Sequence, residues 1–167
     1  MALLIARGER VISKHLIKIS LLVITLITFA FATLAQDSLP EVIKKIEPSI
    51  IVVLTYDQDG KLLGQGSGFF INKKGEAITS RHVLEGAVRA EIKTMDGMIY
   101  PIAKIIAEDQ DSDIIKFEVI IPENRISFLE VSATFPEVGE RVVVIGSPLG
   151  LEQTVSDGIV SAVRKIP

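Results

Sequence analysis

The chain has 167 residues, 48% of them hydrophobic and 23% charged, a length that fits one domain or a little more. The absence of Cys excludes a disulfide framework, a thiolate metal site and a cysteine nucleophile. Two histidines, His15 and His82, exclude a zinc centre of several imidazoles. The net charge is −3, and residues 36–167 keep 14 basic and 20 acidic side chains with no Lys/Arg cluster, which excludes a nucleic-acid-binding body.

Residues 1–18 carry Arg7, Arg10, Lys14 and Lys18 against Glu9 alone. Ile19 to Ala35 then runs for 17 residues without a charge and gives way to the polar, turn-forming Gln36–Pro40. This is the order of a secretory signal over residues 1–35, with Thr33 and Ala35 as the small residues for cleavage before Gln36. The run is slightly shorter than the roughly 20 apolar residues of a full membrane span. The alternatives are an uncleaved anchor, touching the membrane through residues 19–35, and a buried core helix, which the all-round apolarity and the basic flank disfavour. Export without Cys fits a bacterial envelope, periplasmic or extracellular, better than a disulfide-rich scaffold.

Residues 36–46 read as a linker with a short amphipathic helix over Glu41–Ile46, ending before Pro48. Strand signals then crowd together. Ser49–Tyr56 is β-branched, and Asp57–Gly60 is a turn. Leu62–Gly64, Gly66–Ile71, Glu76–Thr79, Val88–Thr94, Met98–Ala107, Asp113–Ile120 and Arg141–Ile145 are further strands. Gln153–Arg164 reads as one more, with Gly158 as a bulge or bend. Ser80–Gly86 alone looks helical, for a turn or two. Many short strands with frequent turns predict an all-β sandwich or barrel. Pro136–Gly139 is the best boundary between two β units.

One segment reads Gly66-Ser67-Gly68-Phe69-Phe70-Ile71, a turn, then Thr79-Ser80-Arg81-His82-Val83-Leu84-Glu85-Gly86-Ala87. A strand thus leads to a single histidine at the start of a helical turn. Asp111-Ser112-Asp113-Ile114-Ile115 follows, with Asp113 lying 31 residues after His82. Farther on stand Ile145-Gly146-Ser147-Pro148-Leu149-Gly150-Leu151 and Thr154-Val155-Ser156-Asp157-Gly158-Ile159-Val160-Ser161. A serine hydroxyl needs a base near pKa 7, and imidazole is the natural one. That base needs one fixed tautomer, which a carboxylate on its other nitrogen enforces. Taken alone, His82 reads as a structural histidine and Asp113 as a turn residue like Asp109 and Asp111.

Taken in order, these four motifs resemble the trypsin-like serine proteases, specifically the Cys-free bacterial HtrA type, over about Glu47 to Pro167. The resemblance implies a trypsin-like double β-barrel. The first barrel is complete over residues 47–137, and the second begins at residues 138–167 and is truncated. It implies His82 as general base and Asp113 as the carboxylate that orients it, with Asp111 as the fallback. Ser67 and Ser147 are not read as nucleophiles, because Gly-x-Ser-x-Gly would need glycines where Gln65, Phe69, Ile145 and Leu149 stand. The family's nucleophile lies in a Gly-x-Ser-Gly-Gly loop after the Ile-Val-Ser strand, and no such run occurs in this sequence. Two strands of a second barrel cannot bury both faces alone. The expectation is therefore a piece of a longer gene, with the nucleophile serine beyond Pro167.

The resemblance implies an exported serine endopeptidase that cleaves unfolded polypeptides, and it leaves homo-oligomerisation open. The other class is a non-catalytic β-barrel module that binds a peptide or partner by strand addition. A nucleotide or metal cofactor is not expected. There is no phosphate-binding Gly-x-x-x-x-Gly-Lys-Ser/Thr run, and the Asp109, Asp111, Asp113 series lacks the glycine and glutamate of a calcium loop.

Overall fold

The computed structural model describes Lys18, Ser20 and residues 38–146 and 154–164. The leader expectation over residues 1–35 otherwise lies outside the described residues, as does Ser147. Among the described residues no helix is long and apolar enough to cross a membrane. The chain divides into two compact units, Met1–Val42 and Ile43–Pro167.

Helix α1 spans Leu39–Ile46, two residues earlier than the sequence predicts. Its start is set by Ser38, whose amide and hydroxyl both donate to Glu41 Oε2 at 2.9 Å; the Glu41 side chain reaching back to the Ser38 amide is one half of a capping box. A short 3₁₀ turn, Glu47–Ser49, carries Pro48 and ends the helix.

Six strands follow: β1 Ile50–Tyr56, β2 Leu62–Phe70, β3 Glu76–Ser80, β4 Arg89–Lys93, β5 Ile99–Asp109 and β6 Ile114–Val119. They close into a barrel in the order β1-β2-β3-β6-β5-β4, all antiparallel, with β1 paired on one side to β2 and on the other to β4. Closure leaves the barrel no free sheet edge. Period-two alternation turns Ile51, Val53, Phe70, Ala77, Ile92, Phe117 and Val119 into one buried cluster. At about 25 cal/mol per Å² of apolar surface removed from water, that interior is the main stabilising term of the unit.

The structure joins the two expected pieces of β2 into one unbroken strand. Glycine is a poor strand former alone, but Gly66 and Gly68 sit opposite Val53 and Ile51 of β1, and Gly68 is also paired to Thr79 of β3. The small side is required there. A Cβ on Gly68 would stand 2.7 Å from the Ile78 carbonyl oxygen, and one on Gly66 would stand 2.5 Å from Val83 Cγ2. The Thr79 hydroxyl fastens β3 to β2 by donating to the Ser67 carbonyl at 2.7 Å.

Strands β7 (Arg141–Gly146) and β8 (Thr154–Ile159) form a separate two-stranded antiparallel sheet. The bulge expected at Gly158 is absent: Gly158 faces Val142 in regular register, and β8 ends one residue later, short of Arg164. The 3₁₀ turn Glu123–Arg125 was not anticipated, being too short to show a period. The described residues are thus mostly strands, with one closed barrel and one small sheet.

Candidate active site

Strand β3 carries the chain to the barrel rim, where Arg81–Leu84 forms a single 3₁₀ turn containing His82. Two contacts hold that turn. The Glu85 amide donates to the His82 carbonyl at 3.2 Å, and Val83 and Leu84 pack against the buried cluster. Val83 reaches it because Gly66 offers no side chain in the way.

The opposing group comes from the β5–β6 hairpin. Asp109 ends β5 and builds the turn by accepting from the Ser112 amide at 3.1 Å and the Ser112 hydroxyl at 2.8 Å. Asp113 closes it with φ of +54°, the one positive φ outside glycine among the described residues. Aspartate tolerates this left-handed conformation better than most residues. Register then sets Ser80 of β3 opposite Ile114 of β6, so the His82 turn and Asp113 leave the same edge side by side.

Four contacts converge. The Arg81 amide donates to the Asp113 carbonyl at 3.0 Å. The His82 amide donates to Asp113 Oδ1 at 2.9 Å, and His82 Nδ1 lies 2.6 Å from Asp113 Oδ2. The Ser80 side chain lies near the same carboxylate and helps favour its charged form. The His82 amide, then the His82 ring, hold the Asp113 carboxyl below its ordinary value, with the His82 charge and Ser80 adding to the effect and partial desolvation opposing it. With Asp113 ionised, Nδ1–H is the donor of this bond, and in the neutral ring that tautomer puts the lone pair on Nε2. The His82 and Asp113 side chains are 67% and 45% exposed, so Nε2 is open to an incoming group.

Of the two acidic residues weighed from the sequence, Asp113 is the one against His82. Asp111 belongs to the hairpin turn, where its amide faces the Asp109 carboxylate. Ser67 belongs to β2, and its side chain faces β7, where a Cβ on Gly146 would stand 3.3 Å from Ser67 Oγ. Among the described residues no group of three or more His, Asp or Glu side chains is placed to hold a metal ion. Sequence reasoning missed Ser80, Arg81 and Glu108 around this couple. Arg81 Nε lies 3.6 Å from Glu108 Oε2, a pairing between residues 27 positions apart that only strand register creates.

A family model described as "Trypsin-like peptidase domain" matches residues 66–166. The chain is 39% identical over 103 residues to "Probable periplasmic serine protease do/HhoA-like" of Haemophilus influenzae, covering 61% of this chain and 22% of that protein. It is 35% identical over 109 residues to "Periplasmic serine endoprotease DegP" of Escherichia coli, covering 65% and 23%. A third relative, "Protease Do-like 1, chloroplastic" of Arabidopsis thaliana, is 33% identical over 103 residues, covering 61% and 23%. The chain therefore spans about a quarter of the length of these relatives. Among solved structures, the serine endoprotease from Yersinia pestis superposes with a TM-score of 0.65 at 25% identity, covering 77% of this chain and 46% of that one.

Proposed function

The chain belongs to the family of the trypsin-like peptidase domain, and we propose that it is the base-bearing part of a serine-type endopeptidase acting on exported, unfolded polypeptides. His82 is the general base and Asp113 the residue that orients it. The nucleophile serine lies outside these 167 residues. The observation that carries the reading is the 2.6 Å contact between His82 Nδ1 and Asp113 Oδ2, locked by the backbone bond from the His82 amide to Oδ1.

Those contacts support a defined sequence of proton moves. Asp113 holds the ring with Nε2 unprotonated. As a serine Oγ attacks a peptide carbonyl, Nε2 takes its proton, and the imidazolium is stabilised by the adjacent carboxylate. The same proton then passes to the leaving amine, which departs as the acyl-enzyme forms. Water later hydrolyses that ester with Nε2 again acting as base. The amides that would stabilise the oxyanion belong to the Gly-x-Ser-Gly-Gly loop, a run missing from this sequence. In the proposed layout residues 47–137 are the first barrel and 138–167 open the second. The basic segment followed by the uncharged run Ile19–Ala35, and the word "periplasmic" in the names of two relatives, support export.

The test has two arms. Purified 1–167 protein incubated with unfolded casein is expected to show no peptide-bond hydrolysis. A chimera that continues residues 36–167 with the remaining part of the Escherichia coli DegP protease domain is expected to cleave casein, and His82→Ala is expected to abolish the cleavage. A chimera that folds, by circular dichroism and a cooperative melt, yet stays inert would refute the assignment and favour the strand-addition module.

A further inference from the structure

Three of the contacts fastening the His82 turn to the β5–β6 hairpin pass through one residue, Asp113. A fourth does not. The Arg81 guanidinium reaches across to Glu108 near the end of β5, 3.6 Å from Nε to Oε2, and back to Glu85 on its own turn, 4.0 Å from Nη1 to Oε1. Glu108 is paired in register with Ile115, and its neighbour Asp109 with Ile114, so the carboxylate is carried by the same two strands that carry Asp113.

Arg81 is the most covered member of this trio, its side chain 28% exposed against 68% for Glu85 and 60% for Glu108. Its Nε is buried and has no hydrogen-bond partner among the described residues. Covering a guanidinium N–H without such a bond is unfavourable. The two carboxylates flanking it supply the compensating charge, at ion-pair rather than hydrogen-bond distance. A long cation tucked inward at this point, next in sequence to the proposed base, is better explained by holding something in place than by solubility.

We propose that Arg81 is a positioning residue for His82: its side chain bridges Glu85 and Glu108, fixing the 3₁₀ turn against the hairpin so that the imidazole stays on Asp113. This rests on the reading of His82 as the base, but its test does not need turnover. Asp113 supplies orientation of the ring within the couple. Arg81 supplies orientation of the turn that carries the ring, through a contact independent of Asp113.

The test is amide exchange and proton NMR on isotopically labelled 1–167 protein. Arg81→Ala and Glu108→Gln should each speed exchange of the His82 amide about fivefold, the upper range for a partly exposed ion pair, with the Phe117 amide in the barrel interior unchanged. The low-field resonance of the His82 Nδ1 proton should broaden in the same variants. Arg81→Lys, and the swap of Arg81→Glu with Glu108→Arg, should restore both signals to within about twofold of the parent. Unchanged His82 exchange in Arg81→Ala, or a swap no better than the single variants, would overturn the proposal. The faster His82 exchange expected here, combined with an inert chimera, would discard the protease reading and keep the clamp. The converse result would discard the clamp alone.

Discussion

Ile51, Val53, Phe70, Ala77, Ile92, Phe117 and Val119 of the barrel are buried, whereas among the described residues of β7 and β8 none is. Both regions are antiparallel, and both are rich in β-branched residues. They differ in closure. Six strands return on themselves, so every strand is paired on both sides, and all of them except β5 contribute buried residues to the interior. Among the described residues, these two strands pair only with each other, and apolar side chains such as Val144 and Ile159 are 64% and 62% exposed. β-propensity makes a strand, but only closure makes an interior. The His82–Asp113 couple belongs entirely to the closed region, which gives it a rigid base.

The contrast can be broken most forcefully at its centre. Phe117→Ala empties a fully buried ring site and should cost about 3–5 kcal/mol in urea denaturation. Next comes backbone crowding. Gly68→Ala drives a methyl to 2.7 Å from the Ile78 carbonyl and should cost about 1–3 kcal/mol. Gly158→Ala in β8 meets nothing within 4 Å and should stay within about 0.5 kcal/mol.

Acid sharpens the comparison further. Glu76 is held below its ordinary value chiefly by its hydrogen bond to Lys116, and Asp113 chiefly by the His82 amide. Each is more acidic folded than unfolded. Its contribution is therefore complete above the unfolded value of about 4 and is lost as pH falls through the lower, folded value. Thermal melts should hold a constant Tm from pH 7 to about 5 and fall below about 4. A barrel that instead lost stability between pH 7 and 6 would contradict these assignments. The smallest effect is expected at the open sheet, where Val144→Ser should shift the urea midpoint by less than about 0.5 kcal/mol equivalent.

Much of the barrel was legible because its strands are β-branched and bounded by turns such as Asp57–Gly60. The unbroken course of β2 was not, since three glycines weaken a strand signal and only pairing on both flanks restores it. Gly158 misled in the opposite direction, as a glycine in open space needs no bulge. His82 and Asp113 were legible through flanking motifs, but their contact was not, because it depends on Ser80 meeting Ile114 and on the positive φ of Asp113. Arg81 gave no local signal, for its partner Glu108 is brought near only by the register of β5 with β6.

The most direct measurement compares two carboxylates in the casein-cleaving chimera. The account predicts that Asp113→Asn lowers kcat by about ten-thousandfold, the scale for a base held in the wrong tautomer, while Asp111→Asn leaves it unchanged. Equal activity of Asp113→Asn and the parent, or a collapse confined to Asp111→Asn, would contradict it.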